Sequence, residues 1–308
     1  MSTFADRIQS NIEKTGSHLV AGFDPVLDKF PNFILAESDK LATSDNDYIE
    51  RALLVLSDLF LSAVKGRIAA IKPNIAFFEQ YGVAGIISFA RFCKSVKEAG
   101  IPLITDAKRG DIGSTATAYS AAFLGEAVGR GGRKVDGFSA DALTVNPFLG
   151  FDTLEPFIKD CQKHGCGIFV LTQTSNPGAT AIQGLIADGK PVREHIAQWL
   201  SDRAEDLIGE CGWSGLGAVV GASYPEEARK LRGIMPRNLF LIPGLGAQGA
   251  AASDSVAGFG SAKGTKGGAL INVSRGLLEG SAKNADELVA LISNNIARYN
   301  NQIRVALG

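Results

Sequence analysis

Residues 101–115 read Ile-Pro-Leu-Ile-Thr-Asp-Ala-Lys-Arg-Gly-Asp-Ile-Gly-Ser-Thr, an apolar run followed at once by charged and small residues. A short, nearly continuous apolar run predicts a strand buried on both faces, as in a parallel sheet. Two acids and a lysine follow it with the spacing D-x-K-x-x-D. Because residues i and i+2 of an extended chain share a face, we expect Asp106 and Lys108 to point the same way. Asp111 lies beyond a glycine and can turn back or reach elsewhere.

Apolar runs rich in Val, Ile and Leu recur along the chain, and each is separated from the next by enough residues for a helix. There are eight of them, at 18–23, 68–71, 102–105, 142–145, 167–171, 216–220, 239–242 and 269–273. Alternating strands and helices predict a parallel sheet. Eight such units in 308 residues favour a closed (β/α)₈ barrel, the TIM-barrel architecture, over a doubly wound sheet.

The intervals between the runs carry helical patterns, for example at 49–64, 83–99 and 286–305. A short helix over residues 3–14 would cover the floor of the barrel. No change in composition marks a linker, so we expect a single domain over residues 1–308. Longer loops are expected at 25–46, 129–141 and 175–190, and the Gly/Lys-rich segment 258–268 is expected to be mobile without a ligand.

The overall charge excludes some classes of partner. With 31 basic and 32 acidic residues the net charge is -1, which gives no general attraction for nucleic acid or an anionic membrane. No apolar run approaches the ~20 residues of a membrane helix, and the first residues lack a signal-peptide pattern, so a cytoplasmic protein is expected. Four cysteines and three histidines are too scattered to indicate a metal cluster.

In a barrel the functional residues lie at the carboxyl ends of the strands, and here those positions are polar. The candidates are Asp24, Lys72, Asp106, Lys108, Asn146, Ser175, Gln248 and Arg275. Asp24 taken alone is better explained as a loop charge or a helix N-cap. However, gathering several lysines and aspartates around one pocket costs electrostatic free energy that a purely structural role would not require. Their joint occurrence therefore indicates a functional site.

Two segments in the last quarter of the chain have features that favour binding of a phosphate group. Residues 272–276 place Arg275 and backbone N–H groups at the junction of a strand and a helix. Residues 244–249 match G-x-G-x-x-G, but no acid follows about 20 residues later as in a dinucleotide fold. We therefore interpret those glycines as allowing close approach of a ligand, with Gln248 supplying an amide.

Several segments in barrel order carry a family resemblance. They are 21–25 (AGFDP), 71–74 (IKPN), 106–115 (DAKRGDIGST), 144–147 (TVNP), 171–178 (LTQTSNPG), 243–249 (PGLGAQG) and 274–276 (SRG). The sequence resembles the orotidine 5′-phosphate decarboxylase family, and most closely its longer bacterial-type branch. The resemblance implies conversion of orotidine 5′-monophosphate to UMP and CO₂ in pyrimidine biosynthesis, with neither a metal nor an organic cofactor.

The resemblance also implies roles for the charged residues. Lys108 would protonate C6 of the pyrimidine as carbon dioxide leaves, and Asp106 would lie beside the departing carboxylate. Lys72 would bridge the acids and the ribose, whose hydroxyls Asp24 would bind. Asp111, together with Ile112 and Thr115, would enter the site of a neighbouring subunit, so that the family's homodimer is implied.

The remaining implied roles concern the base and the phosphate. Ser175 would hydrogen-bond the amide edge of the pyrimidine, while Gln248 and Arg275 would grip the 5′-phosphate. Asn146 stands where the shorter enzymes of the family carry histidine, which leaves the role of that position open. Two alternatives remain: another phosphosugar barrel, such as a hexulose-phosphate synthase or ribulose-phosphate epimerase, or a silent nucleotide-binding homologue.

Overall fold

The computed structural model describes residues 2–246 and 251–308 of the chain. Its main sheet consists of eight strands whose pairings are all parallel. In chain order they are β1 (Leu19–Phe23), β2 (Ala70–Pro73), β3 (Ile104–Arg109), β4 (Ala142–Val145), β5 (Gly167–Gln173), β6 (Ser214–Val220), β7 (Asn238–Pro243) and β8 (Ala269–Val273). Each overlaps one of the eight apolar runs, so the strand predictions are confirmed apart from their exact ends.

The sheet runs β2-β1-β8-β7-β6-β5-β4-β3, and its two outer strands meet. Parallel bridges join Ile71 to Leu103 and Asn74 to Asp106, which closes the circle. Strands buried between a barrel interior and a ring of helices must be apolar on both faces. The predicted (β/α)₈ barrel is therefore confirmed.

In chain order the helices are α1 (Phe4–Thr15), α2 (Asn32–Leu41), α3 (Asp45–Val64), α4 (Ala76–Glu79), α5 (Gly82–Glu98), α6 (Gly113–Phe123), α7 (Glu155–His164), α8 (Thr180–Gln183), α9 (Val192–Asp202), α10 (Pro225–Ile234), α11 (Ala252–Ser255) and α12 (Ala285–Leu307). Helices α2 to α11 occupy the intervals between the strands, whereas α1 precedes the first strand and α12 follows the last. The three long predicted helices correspond to α3, α5 and α12. Within the described ranges, none of the helices combines the length and apolar character needed to cross a membrane.

Helix α1 closes the floor of the barrel, as predicted. The Thr3 hydroxyl caps its first turn by accepting a hydrogen bond from the Asp6 amide at 3.2 Å, and Gly16 ends it in the left-handed conformation. Its buried face inserts Phe4 among the interior side chains, where the ring meets Phe169 edge to face at 5.8 Å. The end of the barrel covered by α1 is therefore filled with side chains, and a binding site is expected at the opposite end, where the strands have their carboxyl termini.

The predicted long loops contain more regular structure than the sequence suggested. Helix α2 lies within 25–46, and short antiparallel hairpins lie within 129–141 and 175–190 or at their borders. Segment 258–268 also forms a hairpin, which pairs Gly260–Ala262 with Thr265–Gly267. Glycine-rich composition does not distinguish a hairpin from an open loop, because strands of three residues carry too short a pattern to detect.

Candidate active site

The end of β3 departs from the extended strand that the sequence predicted. Thr105 pairs with Leu143 and Arg109 pairs with Val145, so three residues of β3 face the single residue Thr144. The chain bulges between these pairs, and Lys108 adopts a positive φ of 49°. Asp106 and Lys108 do lie together, but the bulge, and not the two-residue period of a strand, brings them there.

Next to the bulge, the Asp106 carboxylate forms salt bridges with two lysines, and we call Lys72, Asp106 and Lys108 the lysine and aspartate array. Lys72 on β2 donates to Oδ2 of Asp106 at 3.0 Å, and Lys108 donates to Oδ1 at 2.6 Å. The Lys72 side chain is 6% exposed and that of Asp106 is 12% exposed, whereas that of Lys108 is 50% exposed. The array thus has a buried end at Lys72 and an accessible end at Lys108.

Charge neighbours outweigh burial in setting the ionisation of this array. Burial by itself would raise the pKa of Asp106, but the ammonium groups of Lys72 and Lys108 hold it well below its ordinary value. Burial would likewise lower the pKa of Lys72, and the carboxylates of Asp106 and Asp24 reverse this and raise it. Asp106 and Lys72 therefore both carry their charges at neutral pH.

A cavity of about 1060 Å³ opens above this array at the carboxyl ends of the strands. Its walls include seven of the residues that the sequence singled out: Asp24, Lys72, Asp106, Lys108, Asn146, Ser175 and Arg275. Apolar side chains such as Val219 and Leu241 lie between them. A concave, largely apolar pocket with a few convergent polar groups is typical of a small-molecule site.

The polar residues that line the cavity differ in their hydrogen bonds and in their exposure. Asp24 has a buried Oδ1 without a hydrogen-bond partner among the described residues. Asn146 is exposed, and its side-chain oxygen accepts from the Phe148 amide at 3.0 Å. Arg275 is exposed and begins the 3₁₀ turn Arg275–Leu277, at the border with a second cleft of about 1670 Å³.

Three of the predicted site residues lie away from this cavity. Asp111 precedes α6, and its Oδ1 accepts from the Ile112 amide at 2.8 Å. Ile112 is 63% exposed, and Thr115 is exposed in the first turn of α6. None of the three lines the cavity of its own chain. Gln248 lies outside the described residues.

Sequence reasoning missed several polar residues on the walls of the cavity, and two of them, Thr144 and Asn272, lie on barrel strands. Thr144 on β4 donates to Oδ1 of Asp106 at 2.9 Å. Asn272 on β8 is 8% exposed, and its Oδ1 has no partner among the described residues. The available signal was a polar residue just before the last residue of an otherwise apolar strand. Such a residue faces the barrel interior near its carboxyl end.

The sequence of residues 50–288 matches the family described as "Orotidine 5′-phosphate decarboxylase / HUMPS family". The chain belongs to this family. The protein named orotidine 5′-phosphate decarboxylase from Rhodopirellula baltica is 40% identical over 275 residues, covering 89% of this chain and 88% of that one. The protein of the same name from Deinococcus radiodurans is 36% identical, covering 92% of this chain and 94% of that one.

A solved structure has the same architecture. Leishmania donovani OMP decarboxylase superposes with a TM-score of 0.71 at 28% identity, covering 99% of this chain and 98% of that one. Membership of the orotidine 5′-phosphate decarboxylase family, which the sequence motifs predicted, is confirmed. The family match spans the carboxyl ends of strands β2 to β8, where the lysine and aspartate array and Arg275 lie.

Proposed function

We propose that the protein decarboxylates orotidine 5′-monophosphate to UMP and CO₂ in pyrimidine biosynthesis, with Lys108 as the proton donor. The observation that carries this proposal is a pair of salt bridges in which Asp106 contacts both Lys72 and Lys108. These residues line the same cavity as Arg275. The names of the relatives that match over nearly the whole chain support the same reaction.

The arrangement suits a reaction that leaves an electron pair on carbon. As the bond between C6 and the carboxylate breaks, CO₂ departs and its bonding electrons stay on C6. A fixed ammonium stabilises that developing charge, and Lys108 then transfers a proton to C6 as general acid. Lys72 is unsuited to this step because it is buried and ion-paired with Asp106, and because Asp106 and Asp24 together raise its pKa. The neutral amine of Lys108 regains its proton from solvent.

Asp106 has a second role in this proposal. Its carboxylate lies beside the substrate carboxylate, and the repulsion between the two is relieved as CO₂ leaves. For that effect Asp106 must stay ionised when substrate is bound. The two lysines that hold its pKa well below the ordinary value provide this condition.

The other cavity residues are assigned to recognition of the nucleotide. Asp24 binds ribose hydroxyls, for which its unpaired Oδ1 is a suitable acceptor. Ser175 hydrogen-bonds the pyrimidine amide, and Asn146 lies on the same wall. Arg275 and Gln248 bind the 5′-phosphate, which Arg275 can reach because it is exposed at the cavity border.

The proposed active form is a cytoplasmic homodimer with shared sites. Asp111, Ile112 and Thr115 are outside the cavity of their own chain, and Ile112 is an exposed apolar side chain. A two-fold interface places the same patch of each subunit against its partner. The patch can thereby deliver Asp111 to the partner's Lys108.

Loss of orotidine 5′-monophosphate absorbance in the presence of the purified protein tests the reaction. Lys108→Ala is expected to lower kcat by about 10⁴-fold or more while UMP binding and the unfolding transition stay close to wild type. Lys94→Ala, at an exposed lysine on α5, is the matched control and should leave turnover unchanged. Wild-type protein without turnover, or a Lys108→Ala variant with near-normal kcat, would refute the proposal.

Mixed dimers test the shared site. Lys108→Ala and Asp111→Asn variants are each expected to be nearly inactive alone. A heterodimer of the two contains one intact site, so random mixing should restore about a quarter of wild-type activity. Mixtures that remain as inactive as the separate variants would show that each chain uses its own Asp111.

A further inference from the structure

Thr144 is the one residue of β4 that faces the bulge of β3. Its side chain is buried, at 1% exposure for the residue. Its hydroxyl oxygen accepts hydrogen bonds from two consecutive backbone amides, those of Ala107 at 3.0 Å and Lys108 at 2.9 Å. The same hydroxyl donates to Oδ1 of Asp106 at 2.9 Å.

These three contacts use the full hydrogen-bonding capacity of the hydroxyl group. A threonine hydroxyl has one proton and two lone pairs. Because the amides of residues 107 and 108 occupy both lone pairs, the proton has to point toward Asp106. The orientation of the hydroxyl is thus fixed by the backbone, and it holds one oxygen of the carboxylate in turn.

The two amide contacts also hold the backbone of Lys108 in its left-handed conformation. A positive φ is unfavourable for a lysine, so it persists only where the surroundings enforce it. The Asn146 amide adds a second clamp by donating to the carbonyl of Arg109 at 2.8 Å. Without the Thr144 hydroxyl, two partly buried amides lose their acceptor and this part of the bulge is free to rearrange.

We infer that Thr144 is a positioning residue, which sets the placement of the Lys108 ammonium and the Asp106 carboxylate through a single hydroxyl. The inference rests on the proposed function, because it assumes that these two groups perform the chemistry. Thr144 itself needs no contact with the reacting carbon. A misplacement of about 1 Å in a reacting group can lower a rate by about 100-fold, so the effect belongs to kcat.

Thr144→Val tests the inference because valine keeps the shape and removes the hydroxyl. The expected result is a fall in kcat of about 100-fold, with KM and the dissociation constant of UMP within about threefold of wild type. Thr144→Ser keeps the hydroxyl and loses the methyl group, so it should retain most of kcat. Thr144→Ala should behave like Thr144→Val.

Thr105→Val provides a matched control one residue before Asp106. Thr105 is fully buried like Thr144, but its hydroxyl has no hydrogen-bond partner among the described residues. Removing that hydroxyl should leave kcat unchanged. If buried threonines matter only for folding, Thr144→Val and Thr105→Val should both lose activity only in proportion to their loss of folded protein. That result would overturn the inference.

The outcomes separate this inference from the proposed function. Absence of turnover in wild type overturns the proposed function and the inference together. Turnover in wild type with near-normal kcat in Thr144→Val overturns the inference alone, as does a Thr144→Ser variant no better than Thr144→Ala. If Thr144→Val does not fold, the comparison of serine with alanine decides the question.

Discussion

Replacement of Asp106 by asparagine should destabilise the protein as well as inactivate it. Asparagine has nearly the same shape, so the change removes one charge from the centre of the array. It leaves Lys72, whose side chain is only 6% exposed, without its closest carboxylate. Breaking a buried ion pair by removing one partner costs about 3–5 kcal/mol. We expect about 3 kcal/mol because Asp24 still acts on Lys72 and the asparagine oxygen can accept its hydrogen bond.

Urea denaturation followed by circular dichroism, at one fixed chain concentration, measures this loss. In thermal unfolding the same loss corresponds to a fall in Tm of about 5 °C. Asp58→Asn, at an exposed position of α3, removes an equal charge and should change the free energy of unfolding by less than about 0.5 kcal/mol. An Asp106→Asn variant as stable as wild type would refute the claim that the pair with Lys72 stabilises the fold.

The same comparison has a predicted dependence on pH. Because the folded pKa of Asp106 is depressed, its contribution is complete above its unfolded pKa of about 3.9 and is lost as the pH falls toward the lower folded value. The stability difference between wild type and Asp106→Asn should be constant between about pH 5 and 8 and shrink below about pH 4. A difference that grows on acidification would contradict this assignment.

Three further substitutions test other parts of the structure. Arg232→Met should cost about 3 kcal/mol or more in urea denaturation, because the buried guanidinium donates four hydrogen bonds to backbone carbonyls and all four would be lost; an unchanged midpoint would contradict this. Gly22→Ala should weaken UMP binding, since the new Cβ would lie 2.8 Å from the Ser274 Cβ and displace the neighbouring Arg275; unchanged affinity would count against it. Arg275→Ala should raise KM by about 10- to 100-fold with a smaller effect on kcat, and an unaltered KM would remove Arg275 from the phosphate site.

Local sequence patterns determined the strands and the long helices. Buried parallel strands need apolar side chains on both faces, so the eight runs mark them without reference to the rest of the chain. Short strands paired in surface hairpins, such as Gly260–Ala262, leave no comparable pattern. The helix within 25–46 escaped prediction because it lay inside a segment read as loop.

The candidate site was predictable where a side chain directly follows a strand. Asp24, Lys72 and Ser175 meet in one cavity because the carboxyl ends of parallel strands converge at one end of a barrel. Asp106 and Lys108 were predicted to lie together for the wrong reason, since local periodicity carries no information about a bulge. The bulge depends on Thr144, which is 36 residues from Lys108 in the chain.

The sequence by itself therefore determined the number of the strands and their order along the chain, the barrel class and most of the charged residues that line the cavity. Only the tertiary structure decided how those residues are arranged. It closed β2 on β3 and set Lys72 beneath Asp106. It also turned Lys108 into the cavity and left Asp111 outside it. The physical reason is that apolar periodicity reports the environment of each segment, whereas hydrogen bonds and ion pairs between strands depend on partners far apart in the chain.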